Sequence, residues 1–192
     1  LVNSSVHSMA MHSCHFNEDD LGKRYPMEMS EMSGNKYDQL KEKLPGLAPL
    51  TNKQISHMMN MMGPNYYWPI SKDKGSDNGL LILAHGYGPE GDAELYGSMQ
   101  EFQDDYVTSL ALGMSMMTSD HIGCSIEDMT QKSIDNIFVV PVSSTPFNTL
   151  VRQWRYIFKL ENDYSYSDVK QIDSNKIKFL EPISDSIYAK KI

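Results

Sequence analysis

Residues 80–88 read Leu-Leu-Ile-Leu-Ala-His-Gly-Tyr-Gly, and this stretch decides the fold. Its consecutive aliphatic residues are too few and too uniformly apolar for an amphipathic helix, so they predict a strand that is buried on both faces. Such strands are typical of parallel α/β sheets, in which ligands bind beyond the carboxyl ends of the strands. His85 stands at that end, next to a glycine-rich loop, and is the first candidate for a functional residue. The alternative is a hydrogen-bonded histidine with a purely structural role.

The composition indicates one ordinary domain with a tail, since the chain has 192 residues, of which 40% are hydrophobic and 22% charged. A net charge of -8 argues against a nucleic-acid-binding protein. No run of roughly 18 apolar residues is present to span a membrane. Cys14 and Cys124 lie far apart, so neither a disulfide framework nor a CxxC motif is expected. We therefore expect a soluble protein, with the cytoplasm favoured and export after signal-peptide removal left open.

Residues 1–77 are predicted to form an N-terminal arm, partly disordered, with short helices at 37–44 and 52–62. Residues 65–79 read as a turn-rich linker. One helix carries an apolar stripe that fits a core or a second subunit better than a copper site; its members are Ile55, Met58, Met59 and Met62. The start of the arm holds a cluster that could take up a soft metal, although its spacing fits no closed site; its members are His7, His12, Cys14 and His15.

Residues 78–192 are predicted to form an α/β lobe, a three-layer sandwich with a parallel sheet of about four strands. Strands are expected at 80–83, 110–117, 137–142 and 177–180, each followed by a helix, the last of them beginning near Ser184 and cut off by the end of the sequence. In the helix after the third strand, the side chains expected to point inward are Leu150, Trp154, Ile157 and Phe158.

A strand-end His-Gly is also found next to the oxyanion hole of α/β-hydrolases. That fold needs a G-x-S-x-G nucleophile elbow, and the nearest candidate, at 113–117, lacks the second glycine. An esterase is therefore the weaker alternative. Metal handling is the stronger one, because a neutral imidazole is the commonest protein ligand for first-row metals.

Residues 80–86, 136–144 and 176–183 together resemble the class II chelatases, the sirohydrochlorin cobaltochelatase and ferrochelatase group. The resemblance implies a flavodoxin-like lobe and a lyase that inserts a divalent metal substrate, Co²⁺ or Fe²⁺ with Ni²⁺ or Zn²⁺ as alternatives, into a tetrapyrrole. It implies that His85 receives the metal and the pyrrole protons. The family's second histidine normally follows the third strand, where residues 143–148 contain none.

His121 is the substitute for that second histidine, since it follows the second strand next to Asp120 and could complete a site with His85 and Glu90. The alternative is that Asp120 and His121 simply cap a helix. Arg152 and Arg155 could bind the carboxylates of an acidic tetrapyrrole. The remaining substrate contacts implied by the resemblance are Gly86, Tyr87, Ser143 and Ser144.

Two questions stay open at the level of sequence. A carrier that binds a metal or a tetrapyrrole without inserting one into the other accounts for His85 as well as an enzyme does. One lobe also offers only one wall of a cleft, so we expect either a homodimer with the His85 edges facing each other or a second lobe beyond Ile192.

Overall fold

The computed structural model describes residues 25–27, 34–61, 65–69 and 76–182. The chain forms an α/β domain in which helices and strands alternate from residue 78 onward. In chain order the elements are β1 (Tyr25–Met27), α1 (Gly34–Lys43), α2 (Asn52–Met61), β2 (Asn65–Pro69), β3 (Asn78–Ala84), α3 (Gly88–Met99), β4 (Val107–Leu112), α4 (Asp120–Gln131), β5 (Asn136–Pro141), α5 (Thr149–Ile157) and β6 (Ile177–Phe179), with 3-10 turns at Pro45–Leu47 and Gln100–Phe102.

The described strands form one mostly parallel mixed sheet in the order β1-β2-β4-β3-β5-β6. Strand β3 pairs in parallel with β4 on one side and with β5 on the other, and β6 continues the parallel part beyond β5. Strands β1 and β2 extend the sheet past β4 in the antiparallel sense. The prediction of a central strand at 80–83 within four parallel strands is confirmed.

Strand β3 is buried on both faces because its side chains alternate between two core clusters. Leu81 and Leu83 belong to the larger cluster, which contains side chains of α1, α2, α4 and α5. Ile82 packs in the smaller cluster, together with Leu95 of α3. Each fully buried aliphatic side chain of this kind contributes about 1.5–3 kcal/mol. Helices therefore cover both faces of the sheet, and the carboxyl end of β3 is fixed between them.

Helices α1 and α2 are part of the domain core. Leu40 and Ile55 are fully buried, and Met59 is in the same cluster. Thr51 caps α2, since its Oγ1 accepts the N–H of Gln54 at 3.3 Å while the Gln54 side chain accepts the N–H of Thr51 at 2.9 Å. The two short helices expected in the N-terminal arm are therefore present, but they pack into the domain core.

The methionine stripe of α2 packs against the chain's own core. Met58 is partly buried against the same cluster as Met59. This covers much of the apolar area that supported the expectation of a homodimer. Met62, the metal-binding cluster proposed before residue 16 and the helix expected after Ser184 lie outside the described residues.

The linker expected at 65–79 contains a strand. Residues 65–69 pair antiparallel with β4, so that Trp68 lies opposite Leu110. Tyr67 and Trp68 are buried, and the Trp68 ring stacks on Tyr96 of α3 at 4.0 Å between centroids. Aromatic residues favour strands, and here this preference outweighs the flanking prolines.

The second parallel strand begins and ends earlier than predicted. Strand β4 ends at Leu112, because Gly113 and Ser115 have φ angles of 143° and 52°, which leave the extended conformation. The segment after it leads into α4, which begins at Asp120. Cys124 of α4 is disulfide-bonded, a bond that the sequence did not indicate.

Residues 158–176 form neither helix nor strand, and a buried side chain of α5 organises them. The Oε1 atom of Gln153 accepts the N–H groups of Ser165 and Tyr166, each at 2.9 Å. Its Nε2 atom donates to the carbonyl of Ser167 at 2.9 Å. Gln153 is fully buried, so this segment packs on α5 instead of extending into water.

Candidate functional site

A cavity of about 510 Å³ lies at the carboxyl ends of β3 and β5. Strand β4, which follows β3 in the chain, lies on one side of β3, whereas β5 and β6 lie on the other side. The direction of the strand order therefore reverses between β3 and β5. A reversal of this kind leaves a crevice in which open α/β sheets bind their ligands. The lining residues are His85, Tyr87, Val140, Pro141, Val142, Ser143, Ser144, Asn148, Leu150, Val151, Trp154, Glu181 and Pro182.

The loop after β3 brings His85 to one side of this cavity. His85 is exposed, and its ring lies 4.5 Å from the Tyr87 ring, centroid to centroid. Gly86 and Gly88 have φ angles of 92° and 80°, which side chains rarely adopt. These glycines let the chain turn out of the sheet directly after His85.

Asp92 holds the His85 loop in place. Its Oδ1 accepts the Tyr87 N–H at 2.6 Å, and the residue is buried in α3. Partial burial and the nearby Asp92 carboxylate both raise the pKa of Tyr87. A Cβ at Gly91 would lie 2.6 Å from the Tyr87 Cβ, so the loop rests directly on the helix. Asp92 lies in α3, which begins at Gly88, so this contact joins the loop to the first turns of the helix that follows it.

The loop between β5 and α5 forms the opposite side. Ser143 and Ser144 line the cavity together with His85 and Tyr87, so these four predicted site residues do come together. The hydroxyl of Ser143 donates to the carbonyl of Thr145 at 2.9 Å. Phe147 in the same loop is 83% exposed, which is unusual for so large an apolar side chain.

Helix α5 begins at the cavity. Asn148 is its N-cap and accepts the N–H of Leu150 at 2.7 Å. Both residues line the cavity, so the positive end of the helix dipole lies next to it. Asn148 and Glu181 line the cavity but were not predicted from the sequence. Their positions could have indicated them, since each follows the carboxyl end of a parallel strand.

The two arginines expected to bind ligand carboxylates pair with carboxylates of the chain. Arg152 Nε lies 3.2 Å from Glu161, and Arg155 contacts both Glu161, at 3.5 Å, and Glu181. Neither arginine lines the cavity, whereas Glu181 does. The Arg155–Glu181 pair thus fixes a carboxylate at the cavity edge.

His121 lies in a different environment. It is 1% exposed, and its Nε2 is 3.3 Å from the hydroxyl of Ser115. That hydroxyl also accepts the indole N–H of Trp154 at 3.1 Å. Burial lowers the pKa of His121 to about 3, so the imidazole is neutral near pH 7. His121 is not among the residues that line the cavity.

The predicted three-ligand metal site is not assembled. Glu90 is exposed in the first turn of α3. Within the described part of the chain, no three His, Cys, Asp or Glu side chains are grouped so that they could hold a metal ion, and this includes the set His85, Glu90 and His121. Among the residues that line the cavity, His85 and Glu181 have side chains of the kinds that commonly bind metal ions.

Trp154 has two roles in the structure. It is 1% exposed and packs in the main core, as its helical position predicted. It also forms part of the cavity lining. The cavity therefore reaches inward to the hydrophobic core.

Within the described ranges, no helix combines the length and apolar character needed to cross a lipid bilayer. Comparison of the chain with protein-family models, with curated proteins and with solved structures gives no significant match.

Proposed function

We propose that the cavity binds a flat tetrapyrrole and that His85 meets a divalent metal ion there, as the resemblance to class II chelatases implies. The observation that carries this proposal is the position of His85 beside a cavity at the reversal of strand order. The parallel strands follow the order β4-β3-β5-β6, which agrees with a flavodoxin-like lobe. A volume of about 510 Å³ is within the usual range of small-molecule sites.

Insertion of a metal into a free-base tetrapyrrole replaces two pyrrole N–H protons by one divalent ion. The site must therefore offer a metal ligand and proton acceptors. The His85 imidazole supplies a nitrogen that can do either, and the Glu181 carboxylate is a second acceptor in the same cavity. Ser143, Ser144 and Asn148 add polar groups that could orient the ligand.

A carrier function is the second candidate, and the absence of a three-ligand group among the described side chains favours it. In a carrier, the tetrapyrrole nitrogens and His85 would hold the metal ion together, with no proton removal. The esterase alternative is weaker, because Ser115 is fully buried and no described group hydrogen-bonds to Nδ1 of His121.

The test is to mix the protein with sirohydrochlorin and Co²⁺, Ni²⁺ or Fe²⁺ and to follow the absorbance change against the protein-free rate. His85→Ala is compared with His57→Ala, which removes another exposed histidine, on α2. A chelatase accelerates the change, and only H85A returns the rate to background.

If the rate equals background but cobalt-sirohydrochlorin binds in a manner that H85A abolishes, the protein is a carrier. The proposal fails if neither rate nor binding depends on His85.

A further inference from the structure

Ser115, His121 and Trp154 form a hydrogen-bonded chain. The indole N–H of Trp154 can only donate, so the Ser115 oxygen accepts it, at 3.1 Å. The Ser115 hydroxyl either donates its own proton to Nε2 of His121, at 3.3 Å, or accepts a second hydrogen bond from it. The first arrangement has the His121 proton on Nδ1 and the second has it on Nε2.

The same three residues hold two unfavourable features. Ser115 has a φ of 52°, in the left-handed region that residues with a side chain rarely adopt. Nδ1 of His121 is buried without a hydrogen-bond partner among the described residues. Strain and unsatisfied polar groups persist where the surrounding structure enforces them, and they concentrate near functional sites.

The chain of hydrogen bonds ends at the cavity. Trp154 lines it, whereas Ser115 and His121 do not. A hydrogen bond to the indole nitrogen fixes the rotation of the ring about its Cβ–Cγ bond, and this rotation sets the shape of the inner cavity wall.

We propose that Ser115 and His121 are positioning residues, which orient Trp154 and thereby set the affinity of the cavity for a flat conjugated ligand without touching that ligand. The identity of the ligand rests on the function proposed above, whereas the orientation of Trp154 does not. His121 then serves the site through two hydrogen bonds instead of through a metal ion.

The experiment uses Trp68→Phe as the background, so that Trp154 is the only fluorescent indole, since the chain has two tryptophans. Two quantities are measured well below the unfolding temperature: the Trp154 emission spectrum, and the Kd for metal-free sirohydrochlorin from Trp154 quenching. The variants are Ser115→Ala, His121→Leu, the double variant and His121→Gln, whose amide can accept the Ser115 proton.

Ser165→Ala is the matched control. Ser165 is buried, and its hydroxyl has no hydrogen-bond partner among the described residues, so this variant removes a similar group outside the chain of hydrogen bonds. We expect S115A and H121L each to shift the emission and to raise Kd by about fivefold to tenfold. The double variant should be no worse than S115A alone, and H121Q should stay within about twofold of the background.

Unchanged emission in S115A and H121L, or strictly additive effects in the double variant, would overturn the proposal. Should S115A fail to fold, the comparison of H121L with H121Q makes the same decision. If no variant binds sirohydrochlorin, the background included, while emission shifts in the expected non-additive way, the positioning role holds and the proposed ligand is wrong.

Discussion

His85 and His121 both lie beyond the carboxyl ends of neighbouring parallel strands, β3 and β4, yet water reaches only the first. After His85 the chain turns outward through Gly86 and Gly88, and the imidazole is exposed. After β4 the chain turns at Ser115, and the stretch that leads into α4 is hydrogen-bonded to the segment 158–176. The Ser119 hydroxyl donates to the carbonyl of Lys170 at 2.5 Å, and the Ser167 hydroxyl donates to the carbonyl of Met116.

The position after a parallel strand thus brings a side chain to one edge of the sheet, but it does not determine whether that side chain is exposed to solvent. The exposed region around His85 is suited to binding a ligand, whereas the buried region around His121 is part of the domain interior. Substitutions and pH should therefore affect stability in the His121 region and ligand binding in the His85 region.

The largest expected effect is on stability in acid. The pKa of His121 is lowered to about 3 by burial, whereas an unfolded histidine titrates near about 6.5. Between these two pKa values the unfolded chain binds a proton that the folded chain does not. The contribution of neutral His121 to the free energy of unfolding is therefore fully present above about pH 6.5 and is lost as the pH falls toward about 3. We expect a loss of about 1.4 kcal/mol per pH unit from this group.

Urea unfolding of the wild type and of His121→Gln from pH 7 to pH 4 measures it. The variant cannot titrate at this position and should show the shallower dependence. Equal slopes would contradict the assignment of His121 to a buried, neutral state.

The second effect concerns the contact between the His85 loop and α3. Gly91→Ala places a Cβ against the Tyr87 Cβ, so we expect a loss of about 1–3 kcal/mol in the free energy of unfolding. Gly97→Ala in the same helix meets no atom within 4 Å and should stabilise it by up to about 1 kcal/mol. Thermal unfolding of both variants tests this, and a stable G91A would mean that the loop is free to move away.

A smaller effect is expected at the exposed aromatic of the cavity loop. Phe147→Ala should leave the free energy of unfolding unchanged and weaken sirohydrochlorin binding about fivefold, because one aromatic contact contributes about 1 kcal/mol. Leu160→Ala is the control, as Leu160 is 57% exposed and lies after α5, outside the loop between β5 and α5. Equal Kd values for the two variants would exclude a contact between Phe147 and the ligand.

The smallest expected effect is that of His85→Ala on stability. Since the side chain is exposed, the free energy of unfolding should change by no more than about 0.5 kcal/mol, as for His57→Ala. Urea unfolding at pH 7 is the measurement. A destabilisation well above this value would give His85 the structural role that the sequence left open.

Local patterns predicted most of the parallel part of the fold. The apolar run at 80–83, the β-branched run of β5 and the inward face of α5 each carry their period in consecutive residues. The predicted bounds of β4 were too late in the chain because its first half contains Thr108 and Ser109, which are polar but buried. The Ser109 hydroxyl lies 2.6 Å from the hydroxyl of Ser125. Such a pairing across 16 residues leaves no periodic signal.

Part of the arrangement at the cavity could also be predicted from the sequence. His85, Tyr87, Ser143 and Ser144 could be brought together because parallel strands end at one edge of a sheet. The burial of His121 could not, since its hydrogen-bond partner Ser115 is bound to Trp154, which lies 39 positions further along the chain. The ion pairs of Arg152 and Arg155 with Glu161 and Glu181 are likewise contacts without a local pattern.

The hydrogen bonds of Gln153 should affect proteolysis and amide hydrogen exchange in the segment 158–176. A long segment without helix or strand is ordinarily the first place where a chain is cut and where amide protons exchange. Here two of its amides, those of Ser165 and Tyr166, bind one buried side-chain oxygen. These two amides should exchange more slowly than the exposed amides of the segment, and Gln153→Leu should speed their exchange and expose the chain at 165–167 to cleavage. One buried helix side chain thus protects part of an irregular segment from exchange and proteolysis.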